Sequence, residues 1–269
     1  MQIFRYYIIM EFYDTHAHYD DERYDEDRDE ILQSVHERGC KKIINIGCTL
    51  ERSKKSLDLA AKYDFVYATV GIHPSDVCST PDDYLPKLRD MAKLSNKCVA
   101  VGEIGLDYTV FDSEVPDKAR QERFFREQLG LARELNLPVI IHSRDAAEDT
   151  LRILRDEMKK GEICGVTHCY SYSAEVAKIL IGMGLHISFT GVITFKNARK
   201  TLESLAAVPI ERLLTETDCP YMSPEPERGK RNDSGKIPYI IAKMAEVYEM
   251  PAAEIADITM KNADKLFGF

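Results

Sequence analysis

Apolar, often β-branched residues gather in eight short runs along the chain, with stretches of helical spacing between them. The runs are Phe12–His18, Lys41–Thr49, Phe65–His73, Cys98–Asp107, Leu137–Ser143, Cys164–Cys169, Leu185–Gly191 and Arg212–Asp218, and their length and composition predict strands. After the first, the acidic stretch Asp20–Asp29 grades into a helix through Ile31, Leu32 and Val35 that stops at Gly39. Further helices are predicted over Glu51–Tyr63, Pro81–Leu94, Lys118–Leu135, Asp145–Lys160, Ser173–Met183 and about Asn197 to Ala206. In Lys118–Leu135, for example, Phe124, Phe125, Leu129, Leu131 and Ala132 form one apolar stripe on a charged helix, as in the solvated cover of a sheet. Two more helical segments, Ile237–Tyr248 and Ala253–Leu266, close the chain.

Eight strands alternating with helices, with no linker and no break in composition, predict an α/β protein. The expected architecture is a single (β/α)8 TIM barrel over residues 1–269 with an extra C-terminal helix. The rival, an open doubly wound sheet, lacks its fingerprint: no Gly-x-Gly-x-x-Gly follows the first strand and no phosphate-loop pattern occurs.

Composition narrows this only slightly. The chain has 269 residues, the size of one such barrel, and no run approaches the roughly 20 apolar residues of a membrane helix. A net charge of -9 argues against coating nucleic acid through a broad basic face, but leaves room for a small basic site. Seven cysteines, odd in number and without a Cys-x-x-Cys pair, point to reduced thiols and a cytoplasmic protein. Met1–Met10 lacks the apolar core and cleavage site of a signal peptide, so residues 1–10 are expected to be a short extension or an upstream start.

The chemistry lies at the strand ends. A TIM barrel builds its site at the C-terminal ends of its strands. Those ends carry His16 and His18, then His73, Glu103, His142, His168 and Asp218. His16 and His18 are two apart, so they leave a strand on one face. Taken alone, such a pair is more often two hydrogen-bonded core residues than a metal grip. Five of seven histidines at one end of one barrel are not explained that way. Of the other two, His36 lies in a helix and His186 starts the seventh strand, at the face where stability residues belong. So many imidazoles and carboxylates exceed what one ion with an open position needs and suit two, with a carboxylate between them and a hydroxide whose pKa they lower. By the same parity Arg144, two after His142, faces the pocket and offers a fork for phosphate, unless it pairs outward with a helix acid. Cys169 and Cys219 alternate away from His168 and Asp218, toward barrel–helix packing.

These residues stand in motifs. Asp14-Thr15-His16-Ala17-His18, Gly71-Ile72-His73-Pro74, Gly102-Glu103-Ile104-Gly105-Leu106-Asp107-Tyr108, Ile141-His142-Ser143-Arg144, Thr167-His168-Cys169 and Thr215-Glu216-Thr217-Asp218-Cys219-Pro220 resemble, in order, the motifs of the TatD family of metal-dependent deoxyribonucleases. The resemblance extends from about Phe12 to Phe269 and includes the run from Pro224 to Asn232 and the terminal Asn262-Ala263-Asp264-Lys265-Leu266-Phe267. Two places depart from it. Tyr170-Ser171-Tyr172 stands where the family more often has Phe, Ser or Thr, and Gly, and Asp233-Ser234 where it has Glu-Pro.

The resemblance implies that His16, His18, Glu103 and Asp218 hold one divalent ion and Glu103, His142 and His168 a second, with Glu103 bridging. It implies His73 at substrate phosphate and Glu216 in the active site, with Asp218 or Glu216 handling the proton of the attacking hydroxide. The implied activity is hydrolysis of DNA phosphodiesters from single-stranded 3′ ends, without membrane attachment. Mg2+ is the ion implied for activity, while the imidazole-rich ligands also suit Zn2+, Mn2+, Ni2+ or Fe2+. Arg144, Lys196, Arg228, Lys230 and Arg231 are candidates for local positive charge, and Tyr170 or Tyr172 for base stacking. Two alternatives stay open. An amidohydrolase acting on a cyclic amide or ester would share the histidines, but often bridges its metals with a lysine that the fourth strand lacks. A metal-stabilised binding barrel is the other.

Overall fold

The computed structural model describes residues 10–110 and 115–269. Residues 1–9 of the expected extension and part of the loop before Pro116 lie outside them. Eight strands, β1 (Phe12–Ala17), β2 (Cys40–Asn45), β3 (Val66–Val70), β4 (Cys98–Asp107), β5 (Val139–Arg144), β6 (Gly165–Thr167), β7 (His186–Phe189) and β8 (Leu213–Thr215), pair in sequence order, each parallel to the next. Helices α1 (Arg28–Glu37), α2 (Leu50–Lys62), α3 (Tyr84–Lys93), α4 (Lys118–Leu135), α5 (Ala147–Met158), α6 (Ala174–Gly182) and α7 (Arg199–Ala206) fill the crossovers. Helix α8 (Ile237–Tyr248) follows β8, and α9 (Ala252–Phe267) is the extra C-terminal helix.

The ring closes between β8 and β1 just beyond their ends. The Asp218 amide donates to the His16 carbonyl at 2.9 Å and the His18 amide to the Cys219 carbonyl at 2.8 Å. Thr15 Oγ1 donates to the Thr215 carbonyl at 3.0 Å. Behind this seam, the buried Asp14 carboxylate accepts from the Thr217 amide at 2.9 Å and from Ser234 Oγ at 2.7 Å. Two residues that carry candidate chemistry, His16 and Asp218, therefore also shut the barrel.

Each predicted run holds a strand, but most ladders stop short of the predicted ends. β2 ends at Asn45, β3 at Val70, β6 at Thr167 and β8 at Thr215, leaving His73, His168 and Asp218 in the first turns above the sheet. Cys169 and Asp218 take left-handed backbone, with φ of 44° and 57°, which no strand can continue through. Gly105 is required where it stands: its φ is 145°, and a Cβ there would lie 1.9 Å from the His142 carbonyl oxygen of the neighbouring strand.

Apolar side chains pack in two layers. Ile140, Val166 and Leu214 share the parity of His142, His168 and Glu216 and cluster with Ile44, Ile46, Val99, Tyr13 and Tyr67, filling the barrel beneath the site. A larger layer, including Phe124, Phe125, Leu129, Ile153 and Ile241, packs sheet against helices. The chain end closes the opposite mouth, where Phe269 packs on Tyr13 and Tyr67 with ring centroids 6.0 and 4.4 Å away. Asn262 of α9 anchors this end by donating to the carbonyls of Ile210 at 2.8 Å and Leu213 at 2.9 Å. Replacing it removes one donor from each carbonyl, so Asn262→Ala is expected to cost about 2 kcal/mol in urea unfolding while leaving ion binding at the far mouth unchanged.

Candidate metal centre

The centre begins with an irregularity in β1. Tyr13 belongs to the inner cluster, so strict alternation would turn Thr15 inward and His16 outward. The register against β2 shifts between Asp14 and Ala17, and this turns His16 and His18 into the barrel. His16 is fully buried and His18 nearly so.

Their Nε2 atoms lie 3.2 Å apart. Glu103 Oε2 lies 3.4 Å from His16 Nε2 and 4.0 Å from His18 Nε2, and Asp218 Oδ1 lies 3.6 and 3.4 Å from the same two atoms. Bonds of about 2.1 Å to a tetrahedral ion put its ligands about 3.4 Å apart. The four donors therefore fit one cation with little movement. The other oxygen of Glu103 faces a second set: Oε1 lies 2.8 Å from His142 Nδ1 and 2.6 Å from His168 Nε2, which are 3.3 Å from each other. Glu103 thus turns one oxygen to each group.

Second contacts fix the tautomers. His142 Nε2 lies 3.1 Å from Asp107 Oδ2, a pure acceptor, so Nε2 keeps its proton, and Nδ1, which donates to Glu103 in the charged ring, is the atom that presents a lone pair once that proton leaves. His73 has the opposite arrangement. Its Nε2 comes within 3.5 Å of Glu103 Oε1, close enough to count as a third ligand beside His142. However, the Ser75 amide donates to His73 Nδ1 at 3.1 Å, so in the neutral ring Nε2 keeps the hydrogen and is a donor. A donor suits a phosphate oxygen and does not suit a cation. Asp107→Ala removes the acceptor behind His142 and is expected to weaken ion binding about 10- to 100-fold, measured by competition with a chromogenic chelator.

Electrostatics keep the acids ionised. Burial pushes Glu103 up, but the charges of His168 and His73 and the hydrogen bonds of His142 and His16 outweigh it and hold it well below its ordinary value. Asp218 behaves alike, with burial opposed by His18, His16 and His168, and ends lowered. The imidazoles diverge. Burial and the charge of His168 lower His16, whereas in His18, His142 and His168 the carboxylates outweigh burial and raise the pKa.

A family model described as TatD related DNase matches residues 13–268. The chain belongs to the TatD family. It is 40% identical over 255 residues to the metal-dependent hydrolase YabD of Bacillus subtilis (strain 168), covering 95% of this chain and 98% of that one. The metal-dependent hydrolase YcfH of Escherichia coli (strain K12) is 37% identical over 259 residues, 94% of each chain. The crystal structure of YJJV, a TatD homologue from Escherichia coli k12, superposes with a TM-score of 0.89 at 33% identity, covering 97% of this chain and all of that one. The protein is a metal-dependent hydrolase of the TatD family, with the (β/α)8 barrel and extra C-terminal helix expected from its sequence.

The TatD motifs bring His16, His18, Glu103, His142, His168 and Asp218 together, with His73 at their edge. A cavity of about 510 Å3 opens above them, lined also by Arg144, Tyr221 and Met222. Arg144 is exposed at the end of β5 and, among the described residues, has no ion-pair partner, so the outward pairing is not formed. Glu216 is placed differently from Asp218. It lies beneath His168, 1% exposed and away from the cavity, with Oε1 accepting from the Cys169 amide at 2.5 Å and lying 3.6 Å from His168 Nδ1. Cys169 lines the cavity instead of packing behind the sheet, because its left-handed backbone breaks the alternation; Cys219 is fully buried.

Other expectations are corrected. Tyr172 spends its hydroxyl on Ser143 and the Ala146 amide, at 3.0 Å each, and Tyr170 is buried with its hydroxyl on the Ser173 carbonyl. The rings are packed rather than standing free at the rim, Tyr170 against Phe189 and Tyr172, although Tyr170 borders the cavity. Lys230 pairs with Glu227 at 2.7 Å and Arg231 with Asp27 at 2.5 Å, so their charge is neutralised locally. Among residues the sequence reading left out, Asp107 shares the inward parity of Glu103, four residues on, and that spacing is a sufficient signal. Tyr221 and Arg52 enter from loops and helix starts, where no periodicity points to them.

Proposed function

We propose that the protein hydrolyses DNA phosphodiesters, removing nucleotides from the 3′ ends of single strands, with two divalent ions. His16, His18, Glu103 and Asp218 would hold one, and Glu103, His142 and His168 the other. The observation that carries this reading is Glu103, whose two oxygens face two separate donor groups on the floor of a cavity with Arg144 on its wall. When bound, such ions supply Lewis acidity that polarises phosphoryl oxygens and lowers the pKa of water.

The side chains do the rest. Arg144 receives a phosphate through its fork, and His73 donates from Nε2 to a second oxygen. Asp218 reaches the cavity and is ionised, so it takes the proton of the attacking water; a positioned base of this kind contributes about 10²- to 10⁴-fold. Glu216 acts through His168, holding the ring against Glu103. The cyclic-amide reading is weaker, because Glu103 occupies the place of a bridging lysine and the cavity wall offers an arginine fork. The test is incubation of 5′-labelled single- and double-stranded oligonucleotides with Mg2+, Mn2+, Zn2+, Ni2+ and Fe2+. A ladder shortening from the 3′ end of single strands is expected. Uncut DNA alongside turnover of a dihydropyrimidine-like amide would reverse the order of the two readings.

A further inference from the structure

A cavity of about 510 Å3 holds a drug-sized ligand, so it can take the end of a strand but not its length. The rest must leave over the rim, and the rim is not uniform. The loop after β1 carries six acids between Asp20 and Asp27, with Arg23 spent on Asp21 at 2.8 Å and Arg28 on Asp25. Past β3 come Asp76, Asp82 and Asp83, and past β4 and β5 come Asp107 and Asp145. Asp20, Asp27, Asp82 and Asp83 are paired with Arg52, Arg231, Arg123 and Lys87, and the remainder, chiefly Glu22, Glu26, Asp76 and Asp145, repel a polyanion.

The side formed by the loops after β7 and β8 differs. Tyr221 and Met222 line the cavity and are 44% and 38% exposed. Beyond them the Arg228 guanidinium lies 4.2 Å over the Phe195 ring. Phe195 and Lys196 border a second groove of about 450 Å3 along α7. Arg228, Lys196 and Lys200 have no ion-pair partner among the described residues. The two loops are held as one edge: Thr194 Oγ1 accepts from the Glu225 amide at 2.8 Å, and Gly191 lies so close to the Met222 carbonyl that a Cβ would come within 2.2 Å of it.

Aromatic and apolar side chains at the cavity edge, with the Arg23 guanidinium 4.1 Å over the Tyr221 ring, followed by cations without carboxylate partners, match the chemistry that binds single-stranded polynucleotides without reading their sequence. We propose that the uncut part of the strand leaves across Tyr221 and Met222, passes the Phe195–Arg228 pair and lies in the groove beside Lys196. This rests on the nuclease reading of the cavity.

The test compares the unchanged protein with Lys196→Glu/Arg228→Glu, and with the milder Lys196→Gln/Arg228→Gln to exclude misfolding, all checked by thermal unfolding. A labelled single strand of roughly a dozen nucleotides is titrated in chelator, where no cleavage occurs. The charge-reversed pair is expected to bind about tenfold more weakly or worse, with a salt slope shallower by about 1.4 for two lost phosphate contacts. In Mg2+ or Mn2+, the variant should also lose any preference in kcat/KM for the long strand over a dinucleotide. Equal strand binding and equal length preference in all three proteins would overturn the track. If the unchanged protein cuts neither substrate, the nuclease reading falls by itself, and the chelator titration still decides whether a strand lies on this edge.

Discussion

Glu103→Ala is expected to lower DNA cleavage by about three to four powers of ten and to empty both ion positions, while the barrel remains folded. Glu103 supplies an oxygen to each donor group, so its loss removes a ligand from both at once. Several kcal/mol of transition-state stabilisation by the ions go with it, which sets the size of the rate effect. The fold should survive because the sheet is held by main-chain ladders and by the two apolar layers, none of which use this carboxylate. Without ions, the imidazoles around the missing charge can give up their protons, so no uncompensated charge stays buried. Elemental analysis of ion content, thermal unfolding and the oligonucleotide assay together check this. Glu103→Gln keeps the shape and loses the charge, and should resemble the alanine variant. A Glu103→Ala protein that keeps two ions and cuts at a near-normal rate would remove the basis of the binuclear reading.

The gathering of the candidate ligands was legible in the sequence because a parallel barrel collects the C-terminal ends of its strands, and His16, His18, Glu103, His142, His168 and Asp218 sit at five such ends. Depth was harder. Glu216 has the inward parity expected of it, but it stands next to the end of β8 while Asp218 lies in the turn above, and so it falls under His168 and outside the cavity. Parity also failed at Cys169, where one left-handed residue turns the side chain toward the cavity. The aromatic neighbours were misplaced for another reason: the hydroxyls of Tyr170 and Tyr172 found backbone and serine partners that no spacing rule foresees, while Tyr221 stayed exposed. Charge could be counted in advance but not paired. Arg231 and Lys230 are quenched by Asp27 and Glu227, and only the folded loops show that Arg228 and Lys196 are not.

Ion affinity should rise steeply with pH, and the metal-free protein explains why. Burial favours neutral rings at His18, His142 and His168, yet Asp218, Asp107, Glu103 and Glu216 outweigh it and raise all three above the ordinary histidine value. A cation needs their lone pairs, so it must displace those protons; His16, held low, presents none to displace. Each displaced proton changes the apparent affinity about tenfold per pH unit, so an ion taking both His142 and His168 gains about a hundredfold per unit and one taking His18 about tenfold. Stability has the opposite sign in the two forms. In the metal-free protein the raised histidines contribute stability that is full below about pH 6.5 and is lost as pH rises through their folded values. Binding of ions adds stability that grows over the same range. The gap in Tm between loaded and metal-free protein should therefore widen from about pH 6 to about pH 8. Calorimetric titration in two buffers of different ionisation enthalpy should detect proton release near neutrality. An affinity independent of pH, with no protons released, would mean that these rings are neutral before the ions arrive and that Glu103 is not the charge that holds them.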